Sequence, residues 1–392
     1  MIKMTLFKFV MANILSLTNL FVNSEMPLDL TDSRERTITG REDPRKDGYL
    51  LSIDVVPRKR SRPPRLWLAL GLLVLALAAP LSGILPPSQI VAAVLRFPTF
   101  VTIFLGIFLE AVPFLLAGSV ASGFISVYLD EETLARFVPR QAILATFIGA
   151  TMGLLFPVCE CGVVPLTRSL YRKGLPLSMG ISFMLAAPAI NPIVLIGTYT
   201  AFGWGAVFWG RIGLSFLIAT AVGLTFTLAR PADVFNPQML ETHYACHAAT
   251  PRATQRMPRF WLAMVAAGDE FIDMSHYLVI GALLTALIQT LIPQTVLLGI
   301  GQGPLTSVVA LSALAFLLSV CSTVDAFVAL AFVNTFTTGA ILAFLVFGPM
   351  VDIKSALMYA SMFKRRVVLY LILLTFLMTL LTTLYINLNL GW

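Results

Sequence analysis

Cys159, Glu160 and Cys161 stand in the stretch FPVCECG (156–162) between long apolar runs, and they are the side chains in this chain best suited to chemistry. Polar groups taken into hydrocarbon cost free energy unless something uses them. Thiols two positions apart lie on different sides of a helix, but they can converge where Pro157 unwinds the backbone. Paired thiolates suit thiophilic species such as Zn, Cu(I) and comparable soft centres. The competing reading is that cysteines pack as small apolar side chains. Cys321, in SVCSTVD (319–325), is the counterpart about 160 residues further on.

Glu110, Asp273, Asp325 and Asp352 fall within apolar segments, where each costs roughly 2.5–3.5 kcal/mol on insertion scales. Proton or cation relay is the functional reason for such carboxylates, and an ion pair with Arg211 or Lys354 is the structural one. Glu110 and Asp273 are read as proton-coupling groups because they occupy equivalent places in two halves of the chain. Cys159, Glu160, Cys161, Cys321, Asn191, Asp325 and Asp352 are read as substrate-binding. His243, Cys246 and His247 form HYACH, whose spacing could bind zinc from one helix face, although a loop without metal is the simpler reading.

Composition sets what must position these residues. With 58% hydrophobic and 12% charged residues and a mean hydropathy of +0.87, most of the chain belongs in lipid. The net charge of +7 does not indicate nucleic acid, because the basic residues fall in short groups between apolar runs. Four cysteines in 392 residues make no disulfide framework.

The polar stretch 25–64 reads as a disordered cytoplasmic tail, ending in the basic RKRSRPPR (58–65). Apolar segments follow at 66–85, 104–128, 142–158, 159–170, 176–200 and 204–229 and, after a polar loop, at 270–292, 305–320, 321–337, 338–351 and 366–388. The division is therefore a tail at 1–65, the first helix and repeat 1 at 66–229, a cytoplasmic loop at 230–260 and repeat 2 at 261–392.

The two sets of five align: Glu110, Pro113 and Gly118 with Asp273, His276 and Gly281, Cys159 with Cys321, and Asn191 with Asp352, at a near-constant offset of about 160 residues. Arg136 and Arg140, Arg172 and Lys173, Arg230, the basic run 252–259, Lys354 and the run 364–366 all count to one side of the membrane. An odd number of segments per repeat inverts the second copy. The expected fold is an all-α polytopic membrane protein with two inverted-topology repeats of about five helical segments and an extra N-terminal helix, its site lying where broken helices meet. Gly149-xxx-Gly153 and the small residues around Gly118 read as close helix packing.

FPVCECGVVPL, LAAPAINPIV, SVCSTVDAF and FGPMVDIK resemble the predicted permeases that include the organoarsenical efflux (ArsP-like) proteins, over roughly residues 95–390. The resemblance implies an inner-membrane permease and, for arsenical members, export of trivalent organoarsenicals by cysteine thiols. Carried over, Cys159 and Cys161 become the substrate thiols. A secondary transporter is thus the first reading, and a membrane thiol oxidoreductase working through Cys321 and Cys159 or Cys161 the alternative. No P-loop is present and no cofactor is expected. The partners expected are the lipid bilayer and a small molecule or ion, with no nucleic acid; a homo-oligomer is compatible with this reading.

Overall fold

The computed structural model describes residues 87–139, 141–236, 258–291 and 303–389. The tail, the apolar segment 66–85 and the HYACH residues His243, Cys246 and His247 lie outside the described residues. Six helical stretches, 96–128, 177–202, 206–228, 259–291, 338–362 and 365–389, are long and apolar enough to cross a bilayer. The chain is a multi-pass membrane protein. Among the described residues no β-strand forms beyond an isolated bridge between Phe235 and Phe363.

In chain order the first half comprises α1 (Pro87–Tyr128), a short α2 (Glu131–Phe137), α3 (Ala142–Leu155), α4 (Glu160–Arg172), α5 (Leu177–Ile190), α6 (Pro192–Phe202) and α7 (Ala206–Thr225), with a terminal turn α8 (Pro231–Val234). The second half comprises α9 (Arg259–Leu291), α10 (Pro304–Leu318), α11 (Asp325–Leu330), α12 (Thr338–Met350), α13 (Ile353–Met362) and α14 (Arg365–Asn389).

The apolar stretch 176–200 was expected to be one helix, but the chain breaks at Asn191. Pro192 pushes the residue before it out of the helical region, and Asn191 is extended (φ −68, ψ 161). Its side chain caps the new helix by accepting from the Val194 N–H at 2.9 Å. A second break falls at Asp352, whose side chain accepts from the Ser355 N–H at 2.6 Å in a reciprocal capping box.

That break corrects a charge assignment. Lys354 was counted with the cytoplasmic loops, yet it lies on α13 and is 2% exposed. The rule that sorts loop charges counts basic residues along the chain and cannot see a helix resuming one residue earlier.

Two further segments are shorter than a span. α4 has 13 residues, about 20 Å at 1.5 Å per residue against roughly 30 Å of hydrocarbon. The expected helix 321–337 reduces to a turn, the six-residue α11 and further turns up to Thr337, which caps α12.

Among the six bilayer-length stretches, those holding the broken pairs α5–α6 and α12–α13 are the most buried and that of α1 is the least. α5 packs against α3, α7 and α12, and α12 against α10 and α14. The halves also exchange partners, α4 packing on α13 and α6 on α11.

Glycines permit the closest approaches. A Cβ on Gly118 of α1 would lie 2.5 Å from the Gly162 Cα and carbonyl oxygen of α4, and one on Gly153 of α3 would lie 2.6 Å from the Ala187 nitrogen of α5. At one end the bridge is reinforced by hydrogen bonds from the Lys364 N–H to the Val234 carbonyl (3.0 Å) and from the Asn236 N–H to the Met362 carbonyl (2.9 Å). Tyr171, Phe235 and Phe363 pack edge-to-face and stacked around them.

Candidate functional site

Two breaks, 156–159 and 319–324, bring polar side chains into the centre. Pro157 interrupts the chain after α3, and Cys159 becomes the N-cap of α4 with extended backbone. Glu160 and Cys161 occupy the first turn. Asn191 secures this break from the neighbouring helix pair, its amide donating to the Val158 carbonyl at 3.2 Å. On the opposite side α10 ends at Ser319, which adopts the left-handed conformation (φ 50) that few residues other than glycine tolerate. That turn aims the Ser319 hydroxyl at Asp352 Oδ2, to which it donates.

The resulting cluster joins both halves. Lys354 Nζ lies 3.5 Å from Glu160 Oε1 and 3.6 Å from Asp352 Oδ2. Ser322 Oγ donates to Glu160 Oε2 at 3.4 Å. Glu160, Asp352 and Lys354 are each no more than 3% exposed. Cys159, Cys161 and Cys321 are buried free thiols. Among the described residues no group of three or more His, Cys, Asp or Glu side chains is arranged to hold a metal ion.

Of the residues read from the sequence as substrate-binding, Cys159, Glu160, Cys161, Asn191 and Asp352 sit in or beside this cluster, and Cys321 lies in the facing break next to Ser322. Asp325 is engaged elsewhere. Both its carboxylate oxygens receive Arg211, at 2.8 and 2.6 Å, while Arg211 also donates to the Ala189 carbonyl and the Thr198 hydroxyl at 3.0 Å each. Arg211 is fully buried. This is the ion-pair reading of Asp325, with the planar guanidinium fork matched to a carboxylate.

Glu110 and Asp273 meet different surroundings. Glu110 is half-buried on α1. The Asp273 side chain is 65% exposed, 3.9 Å from Arg168. Arg168 and Arg172 are held by Glu270 at 3.3 and 3.2 Å, tying α4 to α9. Sequence reasoning missed Ser319 and Ser322 as parts of the centre, and offered Lys354 as an ion-pair partner for a buried carboxylate while also counting it with the cytoplasmic loops. The spacing Asp352-x-x-Ser355, a capping signature, was the available signal for a helix starting before Lys354.

An all-α chain with several bilayer-length helices, two of them broken at buried polar caps, and a charged cluster enclosed between its halves defines a polytopic membrane protein of the transporter class. The match to the family described as "Predicted permease", of the ArsP type, covers residues 96–388. The chain belongs to that family.

It is similar to the UPF0718 protein YcgR of Bacillus subtilis, with 43% identity over 69% of this chain and 91% of that protein. It is also 36% identical, over 68% of this chain and 88% of the relative, to a Streptococcus mutans protein whose name provisionally describes a subunit of a two-component membrane permease complex. No solved structure matches.

Proposed function

We propose that this permease is a secondary transporter that exports a thiophilic metal or metalloid compound, such as a trivalent organoarsenical, from the inner membrane of the cell. The observation that carries the reading is the Cys159–Cys161 pair, two buried thiols at the N-cap and in the first turn of a half-length helix. A monosubstituted arsenical has two exchangeable positions. Two thiols replace its two hydroxyls, forming two As–S bonds and releasing two waters, with no net gain or loss of protons or electrons. A dithiol rather than a metal cage suits such cargo. The thiol oxidoreductase alternative finds no support in a family of permeases.

The test is extrusion of methylarsonous acid by everted vesicles. Cys159→Ser and Cys161→Ser are each expected to reduce it to the protein-free background while the protein stays in the membrane. Wild-type rates in Cys161→Ser would remove the dithiol site.

We further infer that the halves are inverted repeats. Supporting this, each runs through a long helix, a shorter one, a cysteine-bearing break, a helix split at a polar cap and a final helix. The exchange of α4 onto α13 and α6 onto α11 suits a pseudo-two-fold axis in the membrane plane. Tags at Arg256 and Lys364 are expected to report cytoplasm, and a tag after Trp392 the opposite side. A cytoplasmic C-terminus would exclude inversion. The name of the Streptococcus relative raises a second subunit as a partner for this chain as well.

A further inference from the structure

The buried cluster holds two carboxylates, Glu160 and Asp352, against one ammonium, Lys354. Both carboxylates cannot be ionised there without one surplus negative charge sealed from water, and a buried unmatched charge is expensive. The other buried pair has no such surplus, since Arg211 and Asp325 match one to one. At the α4–α9 contact Arg168 and Arg172 face Glu270 and Asp273, again equal in number. Among these three ionic groups the central one alone has room for a further positive charge.

We propose that Asp352 carries the proton exchanged during transport, with Ser319 and Lys354 as its positioning residues. The inference rests on the transporter reading above and assigns coupling to a residue other than Glu110 or Asp273. Both proton states of Asp352 can keep their hydrogen bonds. When it is ionised, the Ser319 hydroxyl donates to Oδ2, the Ser355 N–H donates to Oδ1, and Lys354 stands 3.6 Å away. When it is protonated, the Oδ2 hydroxyl donates back to Ser319 Oγ by rotation of one O–H bond, and Lys354 is left to Glu160 alone, an even match.

The two halves supply the parts separately, Glu160 from α4 and Asp352 with Lys354 from α13. A rearrangement that parts α4 from α13 strips Lys354 of one counter-ion and leaves it to Asp352. Proton occupancy and the relative position of the halves therefore depend on each other.

The groups around Asp352 are few. α13 itself supplies Lys354 and Tyr359, α4 supplies Glu160 with Cys161 beyond it, and the break after α10 supplies Ser319 and Cys321. On α9, Glu270 and Asp273 are taken up with the arginines of α4, and His276 is turned outward onto the Ile272 carbonyl. Arg365 and Arg366 are exposed at the start of α14, and Glu110 on α1 is half-buried.

Infrared difference spectroscopy of the purified full chain between acidic and alkaline buffer tests the assignment without any cargo. Wild type is expected to show the C=O stretch of a protonated carboxyl. Asp352→Asn should lose that band, Glu110→Gln should keep it, and Ser319→Ala should keep it at a shifted frequency because its hydrogen-bond partner is gone. In vesicles with an imposed pH gradient and methylarsonous acid as probe, the protons moved per arsenical should be lost in Asp352→Asn and kept in Asp273→Asn.

A band that survives Asp352→Asn unchanged, or that Ser319→Ala does not shift, overturns the proposal, as does a wild-type proton ratio in Asp352→Asn. Should Asp352→Asn fold poorly, the Ser319→Ala shift decides alone. Wild-type protein that shows the Asp352 band but moves no arsenical would overturn the cargo and leave the proton site standing.

Discussion

Arg211→Met is expected to cost about 3–5 kcal/mol of stability, the usual consequence of removing one partner from a buried ion pair and leaving the other charge unmatched. Arg211 is fully buried on α7 and makes four hydrogen bonds, two of them to Asp325 on α11, which belongs to the other half of the chain. The loss therefore falls on a contact between halves as well as on one helix. The double variant Arg211→Met with Asp325→Leu should recover much of the stability, because apolar side chains of similar size commonly replace a buried pair at little or no cost. Thermal unfolding of the detergent-solubilised protein measures both. A single variant as stable as wild type would mean that water reaches Asp325 and that α11 is not fixed by this pair.

Gly118→Ala is expected to disable transport although it adds one methyl group. The new Cβ would meet backbone atoms of Gly162 at 2.5 Å, so no side-chain rotation relieves the clash. α1 and α4 must separate, at a cost of roughly 1–3 kcal/mol for overpacking. Gly162 directly follows Cys161, and the Ser122 and Ser169 hydroxyls share a 2.5 Å hydrogen bond further along the same contact. Displacing α4 thus shifts the thiol pair and Glu160 together. Gly106→Ala, on the same helix but with open space around its Cβ, is the control and should leave transport unaffected. Equal rates in the two variants would show that the α1–α4 contact does not set the geometry of the site.

Much of the framework was legible because lipid leaves few choices: a segment must satisfy its own backbone, so apolar length and basic punctuation mark most of the helices. Pro157 and the paired cysteines marked the break before α4 for the same reason. The break at Asn191 was hidden because residues 176–200 have the length of an unbroken span, although Asn191-Pro192 is a cap followed by a first-turn proline. Lys354 was misplaced by counting charge along the chain. Arg211 was offered as a partner for the buried carboxylates, but which of them it meets could not be named, since 114 residues separate it from Asp325 and only packing of α7 near α11 unites them. Glu110 and Asp273 align in sequence, yet one is half-buried and the other largely exposed. Sequence equivalence placed them on corresponding helices and said nothing of what each helix faces.

The split helices have a consequence in the language of dipoles. α4 begins at Glu160 directly after Cys159, and α13 begins at Ile353 directly after Asp352, so both present their amino ends to the ionic cluster. Each end is equivalent to about half a positive charge. Unlike the lysine side chain, this positive potential belongs to the peptide backbone and remains as long as the helices do. It moderates the cost of ionising the second carboxylate, bringing the charged and neutral states of the centre nearer in free energy than the side chains alone would. A site that must gain and lose one unit of charge in every cycle needs such near-degeneracy. An unbroken helix, with its amino end away from the cluster, would not supply it there.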